Sequence, residues 1–364
     1  MTVKDIVTLI EQQAPLLLQE EYDNAGLNVG SPDMEAIGAL LCIDVTEEVI
    51  DEAISNKLNL IISHHPLIFG GVKQLTGKNE VQRCIIKAIK NNIAIYVAHT
   101  NLDNVLNGVN GKIAEKIGLK NIKILAPKEN ELLKFITFVP QRYAEEIRKA
   151  IFNAGAGNIG NYDECSFNSS GYGTFRGNKN TNQFVGKIGV QHSEAEIRVE
   201  VILPKHKIGE VVAALKSVHP YEEPAYDIVP LLNSWDTKGA GIVGELEIEM
   251  EEMDFLLYIK NIFKIKMLKY TSATGKKIKK VAACGGAGSK LLINALNSGA
   301  DAFVSGDFKY HEYFDAKSKI LVADIGHFES EQFTKEIFYE IITKKMPTFA
   351  VRISKVKTNP INYL

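Results

Sequence analysis

Leu58-Asn59-Leu60-Ile61-Ile62-Ser63-His64-His65-Pro66 is a short apolar run that stops at two histidines and a proline. Its length and its bounded, apolar character read as a buried strand over 58–63. Adjacent strand residues point to opposite faces, so two functional histidines in a row require the strand to be ending there. Pro66 biases His65 toward extended geometry and disfavours a helix. The neighbouring segments repeat the pattern. Gly38 to Val45 and Ile93 to Ala98 read as strands, with helices over 47–56, 79–91 and 108–117 between and after them, and an amphipathic helix over 3–12 in front. Thr46 suits an N-cap, and Glu47 and Glu48 sit where the helix dipole favours acids. This rhythm predicts an α/β fold with a mostly parallel sheet covered on both faces.

The end of the chain has the same rhythm. Strands are predicted over 280–284, 302–305 and 320–324, and helices over 289–298, 310–316 and 328–344. The two halves therefore form a two-lobed core with weak internal pseudo-symmetry. The middle differs: a strand over 135–139, a helix over 143–154, an alternating stretch over 163–174, a strand over 197–203, a helix over 208–218 and a strand over 225–230. The order β-α-β-β-α-β is that of a ferredoxin-like (α+β) unit. The expected organisation is a discontinuous core, residues 1–127 and 241–364, interrupted by an inserted domain at 128–240.

In open parallel sheets, ligands gather beyond the carboxyl ends of the strands. Three clusters of metal-binding residue types lie there: His64 and His65, then Asp103, then His327 and Glu331. The last two are four apart at a helix start and face one direction. Taken singly, each has a plainer reading, as hydrogen-bonded histidines at a turn, a helix-capping aspartate or a helix-surface pair. Their coincidence at equivalent strand ends of one sheet favours metal. Three imidazoles and two carboxylates suit a pair of borderline divalent ions, and zinc, iron and manganese all accept such a set.

His99 and Thr100 adjoin these clusters. They read either as groups that orient ligands or shuttle a proton, or as packed, hydrogen-bonded residues. Gly285-Gly286-Ala287-Gly288-Ser289 follows a strand and opens a helix, where backbone N–H groups hold anions. It lacks both the G-x-G-x-x-G spacing and the Walker lysine. Asp307 and His311 read as cleft or capping residues, and His219-Pro220-Tyr221-Glu222-Glu223-Pro224 as a rigid link between helix and strand.

Composition narrows the function classes. The 364 residues are 45% hydrophobic and 24% charged, near the average for globular proteins. The formal charge is −2 and no basic cluster interleaves with aromatics, which argues against nucleic acid or an anionic membrane as partner. The four cysteines form no C-x-x-C pair, so neither a thiolate zinc knuckle nor a disulfide framework is expected. Met1 to Ala14 mixes charged and apolar residues, unlike a secretory signal. No apolar run approaches the ~20 residues that span a bilayer. A cytoplasmic location is the expectation.

Four motifs together resemble the GTP cyclohydrolase I type 2 homologue family, also called the NGG-one-interacting-factor-three-like family. They are Tyr22-Asp23-Asn24-Ala25-Gly26-Leu27, Ser63-His64-His65-Pro66-Leu67, His99-Thr100-Asn101-Leu102-Asp103 and Gly326-His327-Phe328-Glu329-Ser330-Glu331. The stretch from Val218 to Asp227 is similar to part of the insertion in the longer bacterial members. The resemblance implies a two-lobed α/β core and a dinuclear metal site held by His64, His65, Asp103, His327 and Glu331. It also implies a toroidal homohexamer, a trimer of dimers, with its sites facing an internal cavity, and an insertion like a nitrogen-regulatory protein. The function expected is a dinuclear metal-dependent hydrolase. It would act on a nucleotide or related small molecule through a metal-bridging hydroxide, with Asp103 bridging the ions and His99 nearby as proton acceptor. The alternative is a non-enzymatic hexamer that binds metal in a metallochaperone-like or regulatory role.

Overall fold

The computed structural model describes residues 1–364. The chain divides into two compact units, residues 1–127 with 237–364, and residues 128–236. Three sheets account for all the paired strands, which makes this a mixed α/β protein.

The first sheet runs, edge to edge, Gly26–Val29, Ala94–Val97, Leu60–Ser63, Gly38–Cys42 and Ala350–Ile353. Its neighbours are parallel except at the Gly26–Val29 edge. The three central strands are buried along their whole length, which is why they read as continuous apolar runs. Leu40, Ile61 and Ile95 stand in register across them. They form one core with Val49 and Ala53 of helix Glu47–Ser55 and with Cys84 and Ala88 of helix Glu80–Lys90. Each such aliphatic side chain contributes roughly 1.5–3 kcal/mol by leaving water. Thr46 caps the first of these helices by accepting the Val49 N–H, and Asn79 caps the second by accepting the Gln82 N–H.

The second sheet runs Lys269–Tyr270, Leu321–Asp324, Ala302–Ser305, Ile278–Ala283, Trp235–Met250 and Lys120–Lys128. The three strands in the order 321–324, 302–305, 278–283 are parallel, the 269–270 strand is antiparallel to 321–324, and the 235–250 strand is antiparallel to 278–283. Ala282, Phe303 and Val322 pack with Leu292 and Ala295 of helix Leu292–Asn297. This unit thus carries two sheets, whereas the sequence reading put the three ligand clusters on one. Strands 120–128, 235–250, 269–270 and 350–353 lie outside the sequence expectation. Three are at or beside a sheet edge and largely exposed, so their polarity is not that of a buried run. The 310–316 segment is a 3-10 helix.

The 128–236 unit has the order β-α-β-β-α-β. Its sheet runs Phe167–Phe175, His192–Pro204, Leu132–Pro140 and Tyr226–Pro230, and every neighbouring pair is antiparallel. This is ferredoxin-like topology. Leu133, Phe135, Val199, Val201 and Leu203 share one face, which packs on Ile147 and Ile151 of helix Ala144–Asn153 and on Val211 and Leu215 of helix Ile208–Val218. The other face has no helix over it. No helix of the protein is long and apolar enough to cross a membrane.

Candidate metal centre

The Leu60–Ser63 strand ends in a tight turn, with the Ser63 hydroxyl donating to the His65 carbonyl at 3.0 Å. His64 is fully buried and its Nδ1–H donates to the Ala98 carbonyl at 2.9 Å. His65 Nδ1 meets Asp44 Oδ1 at 2.7 Å, and His327 Nδ1 meets Asp307 Oδ2 at 2.7 Å. An acceptor at each Nδ1 puts the proton there and leaves Nε2 as the lone-pair nitrogen. Metal-binding imidazoles are oriented in this way.

All three Nε2 atoms turn toward the same carboxylate. Glu331 Oε2 lies 3.0 Å from His65 Nε2 and 3.3 Å from His327 Nε2, and Oε1 lies 3.5 Å from His64 Nε2. Asp103 Oδ1 is 3.7 Å from His64 Nε2. His64 Nε2, Asp103 Oδ1 and Glu331 Oε2 are buried and have no hydrogen-bond partner. Buried polar atoms are almost always paired, so three unpaired ones in one cluster suit a cation as their missing partner. His65, His327 and Glu331 present ligand atoms within 4.8 Å of one another, and so do His64, His65 and His99. Asp103 belongs to neither set and faces His64. Glu331 is the carboxylate whose oxygens face His64 on one side and His65 and His327 on the other.

The backbone is shaped around Glu331. Helix His327–Glu331 is a single turn that aims both functional residues one way. Gly286 has φ +62°, and a Cβ there would come within 2.4 Å of Glu331 Oε1. The Gly-rich stretch therefore serves close packing. Three of its amides are engaged internally: Gly285 N–H donates to Asn110 Oδ1, Gly286 N–H to Ser330 Oγ and Gly288 N–H to Ser305 Oγ. The phosphate-cradle reading loses these three donors.

Electrostatics follow from placing these groups together out of water. Burial alone would push the Glu331 carboxyl up, but the His64 charge and the facing His327, His64 and His65 rings hold it well below the usual range. Burial pushes Asp103 up to about 6, with His64 acting against it. Burial opposes charge on His65, yet the Asp44 and Glu331 carboxylates raise it to about 10. The facing Glu331 carboxylate leads in raising His327 to about 9, against burial. Protons thus collect on the imidazoles where cations would otherwise sit.

His99 lies at the rim. Its ring centroid is 5.2 Å from that of His64 and 5.5 Å from that of His65. Its Nδ1 meets Asp23 Oδ1 at 2.8 Å, and Asp23 Oδ2 accepts both the N–H and the hydroxyl of Thr100. Burial would raise Asp23, but the bonds from His99 and Thr100 hold its carboxyl at about 2. Asp44 has a further partner, as the Thr358 hydroxyl donates to its Oδ2 at 2.6 Å. Asp44 and Thr358 escape sequence reasoning. Asp44 stands just past the Gly38–Cys42 strand, where the strand-end rule could have found it. Thr358 lies in a tail without periodicity.

Other candidates fall away from the cluster. His311 packs between Tyr310 and Phe314 and is exposed. In the 128–236 unit, His219 Nε2–H donates to the Phe138 carbonyl and Nδ1 accepts the Tyr221 N–H, so both ring nitrogens serve the turn.

Comparison with known proteins follows the same lines. A family model described as Duf34/NIF3 (NGG1p interacting factor 3) matches residues 1–360. A Halalkalibacterium halodurans protein named GTP cyclohydrolase 1 type 2 homolog is 39% identical over 364 residues, covering 99% of this chain and 98% of that protein. A Bacillus subtilis protein of the same name is 37% identical over 371 residues, with 99% and 98% covered. The crystal structure of a Bacillus cereus protein related to NIF3 matches with a TM-score of 0.84 at 38% identity, covering 100% of this chain and 99% of that one.

Proposed function

Given that the chain belongs to the Duf34/NIF3 family, we propose that it is a dinuclear metal-dependent hydrolase acting on a nucleotide or related small molecule. The observation that carries this reading is the set of unpaired, buried ligand atoms, His64 Nε2, Asp103 Oδ1 and Glu331 Oε2, beside facing His65 and His327 Nε2 atoms. His65 and His327 would hold one cation and His64 and Asp103 the other, with Glu331 offering an oxygen to each. Divalent ions so bound acidify water toward neutral pH and polarise a phosphoryl or carbonyl oxygen. Zinc, iron(II) and manganese all fit an imidazole–carboxylate set. The protein supplies the rest. Asp23 fixes the proton of His99 on Nδ1, which leaves Nε2 as a base at the rim of the cluster. Asp44 and Asp307 keep the His65 and His327 rings in place.

The names of the relatives support purine nucleotides as the first substrates to try. The test is a metal-defined screen. The protein is stripped, reloaded separately with zinc, iron(II) or manganese, and offered GTP, other nucleotides and phosphoesters. Turnover that depends on the metal and disappears in His64→Ala and Glu331→Ala is the expected result. Two tightly bound ions with no turnover on any substrate would overturn it in favour of a metal-handling or regulatory role. We extend the reading to a homohexamer, which the mass of the protein in solution tests directly.

A further inference from the structure

Two exposed aromatic rings stand beside the candidate metal cluster. Tyr22 is 65% exposed and Phe69 is 57% exposed. A single apolar ring at a surface calls for no explanation. These two come from separate loops and meet, with centroids 6.4 Å apart and planes inclined at 31°. The Phe69 ring lies 6.3 Å from His99, and His99 lies 5.2 Å from His64 and 5.5 Å from His65. A continuous row of rings therefore runs from the ligands out to Tyr22.

Polar side chains hold the backbone beneath this row. Asn24 Nδ2–H donates to the Ile68 carbonyl at 2.6 Å, and Asn28 Oδ1 accepts the Ile68 N–H at 3.3 Å. Both main-chain groups of the residue before Phe69 are thus tied down. Asp23, next to Tyr22, accepts from His99 and from the Thr100 N–H. Past Phe69 the ground is open, since a Cβ on Gly70 or Gly71 would meet nothing within 4 Å. Loops positioned by a fold are where binding residues are commonly presented. An aromatic face held in water gains when a second flat ring covers it, at a centroid distance of roughly 4.5–7 Å. Stacking selects for a flat π-face and not for one pattern of donors, so it specifies a class of group.

Resting on the metal-dependent reading above, we propose that Tyr22 and Phe69 form the subsite for a planar aromatic ring of the substrate. The ring stacks on Phe69 and Tyr22 while the group attached to it reaches the cluster. Only the His99 imidazole separates Phe69 from the ligand histidines, which suits a ring joined to the reacting group directly or by a short linker.

The test is calorimetry of the zinc-loaded full chain with phenylphosphonate, cyclohexylphosphonate and methylphosphonate. All three offer the same anionic head to the cluster, and their C–P bonds resist hydrolysis, so the readout needs no turnover. Phe69→Leu and Tyr22→Leu each exchange an exposed ring for an aliphatic chain and leave the buried core alone. The expected result is that the parent binds phenylphosphonate roughly 5- to 100-fold more tightly than methylphosphonate, the range of base–aromatic stacking. That advantage should largely vanish in Phe69→Leu and shrink in Tyr22→Leu, with zinc content the same in all three proteins. No advantage in the parent, an advantage that survives in Phe69→Leu, or equal binding of phenylphosphonate and cyclohexylphosphonate would each overturn the subsite. A lower mass in solution for either variant would also overturn it, by assigning the rings to a contact between copies of the chain. Ring-dependent binding without turnover on any substrate would support the subsite and overturn only the hydrolase.

Discussion

His65 and His327 stand 262 residues apart in sequence, yet their Nε2 atoms face one another at 3.2 Å. Each ring is tied at Nδ1 to a carboxylate, His65 to Asp44 and His327 to Asp307. Two imidazoles with their protons committed to Nδ1 would meet lone pair to lone pair. A cation resolves that contact, either a proton on one ring or a metal beside both. The pair joins the first sheet to the second at the cluster.

Metal should therefore stabilise the fold as well as serve chemistry. At a free ion concentration 100 times the dissociation constant, each site should add about 2.7 kcal/mol. Thermal unfolding of the stripped and reloaded protein measures this. His327→Ala should remove most of the shift, whereas an unchanged melting temperature on loading would refute the prediction.

Asp44 acts through His65. Asp44→Asn weakens the hold on the Nδ1 proton and should reduce metal affinity roughly 10- to 100-fold, the usual cost of losing an outer partner of a ligating histidine. Thr358→Val should give a smaller reduction in the same direction, since it removes only the hydroxyl that steadies Asp44. Chelator competition reads both effects without any need for turnover.

Gly286→Ala tests the packing around Glu331. The added Cβ would meet Oε1 at 2.4 Å, and the positive φ costs a further ~1 kcal/mol for any other residue. Gly275 also has a positive φ, +76°, but nothing lies within 4 Å of its would-be Cβ. Gly275→Ala should thus lose only the ~1 kcal/mol of the backbone strain and keep its metal, while Gly286→Ala should lose metal occupancy. Equal occupancy in the two variants, measured by elemental analysis, would show that Glu331 tolerates displacement.

His219 makes the 128–236 unit sensitive to acid. Burial leads in lowering its pKa, so the folded state prefers the neutral ring. A proton on Nδ1 would also point at the Tyr221 N–H. Stability from this group is complete above the unfolded value, near 6.5, and declines as pH falls below it toward the lower folded value. The slope in that window is at most about 1.4 kcal/mol per pH unit. Denaturant unfolding of the full chain between pH 7.5 and 5.5 should show a shallower decline in His219→Gln than in the parent. Parallel declines would contradict the assignment.

Much of the fold was legible because fully buried parallel strands must be short apolar runs. Gly38–Cys42, Leu60–Ser63, Ala94–Val97, Ala302–Ser305 and Leu321–Asp324 all read that way. The edge strands did not, since Lys120–Lys128 and Ala350–Ile353 have faces in water and lack a distinctive pattern. The β-α-β-β-α-β order of the middle was likewise readable, but the side-chain neighbours of Gly171 and Gly173 were not. A glycine in a strand says nothing about its neighbours until the register sets Glu196 and Glu194 beside it.

By itself the sequence determined the ligand types, their places at strand ends, the strand–helix rhythm and the likeness to a known family, because these depend on local spacing and residue chemistry. Only the tertiary structure decided that two sheets share one cluster, and that Glu331, more than Asp103, faces both sides of it. It alone placed Asp44, Asp307 and Thr358 behind the histidines. Those relationships depend on angles and distances between segments as far apart as residues 44 and 358, and no local pattern encodes them.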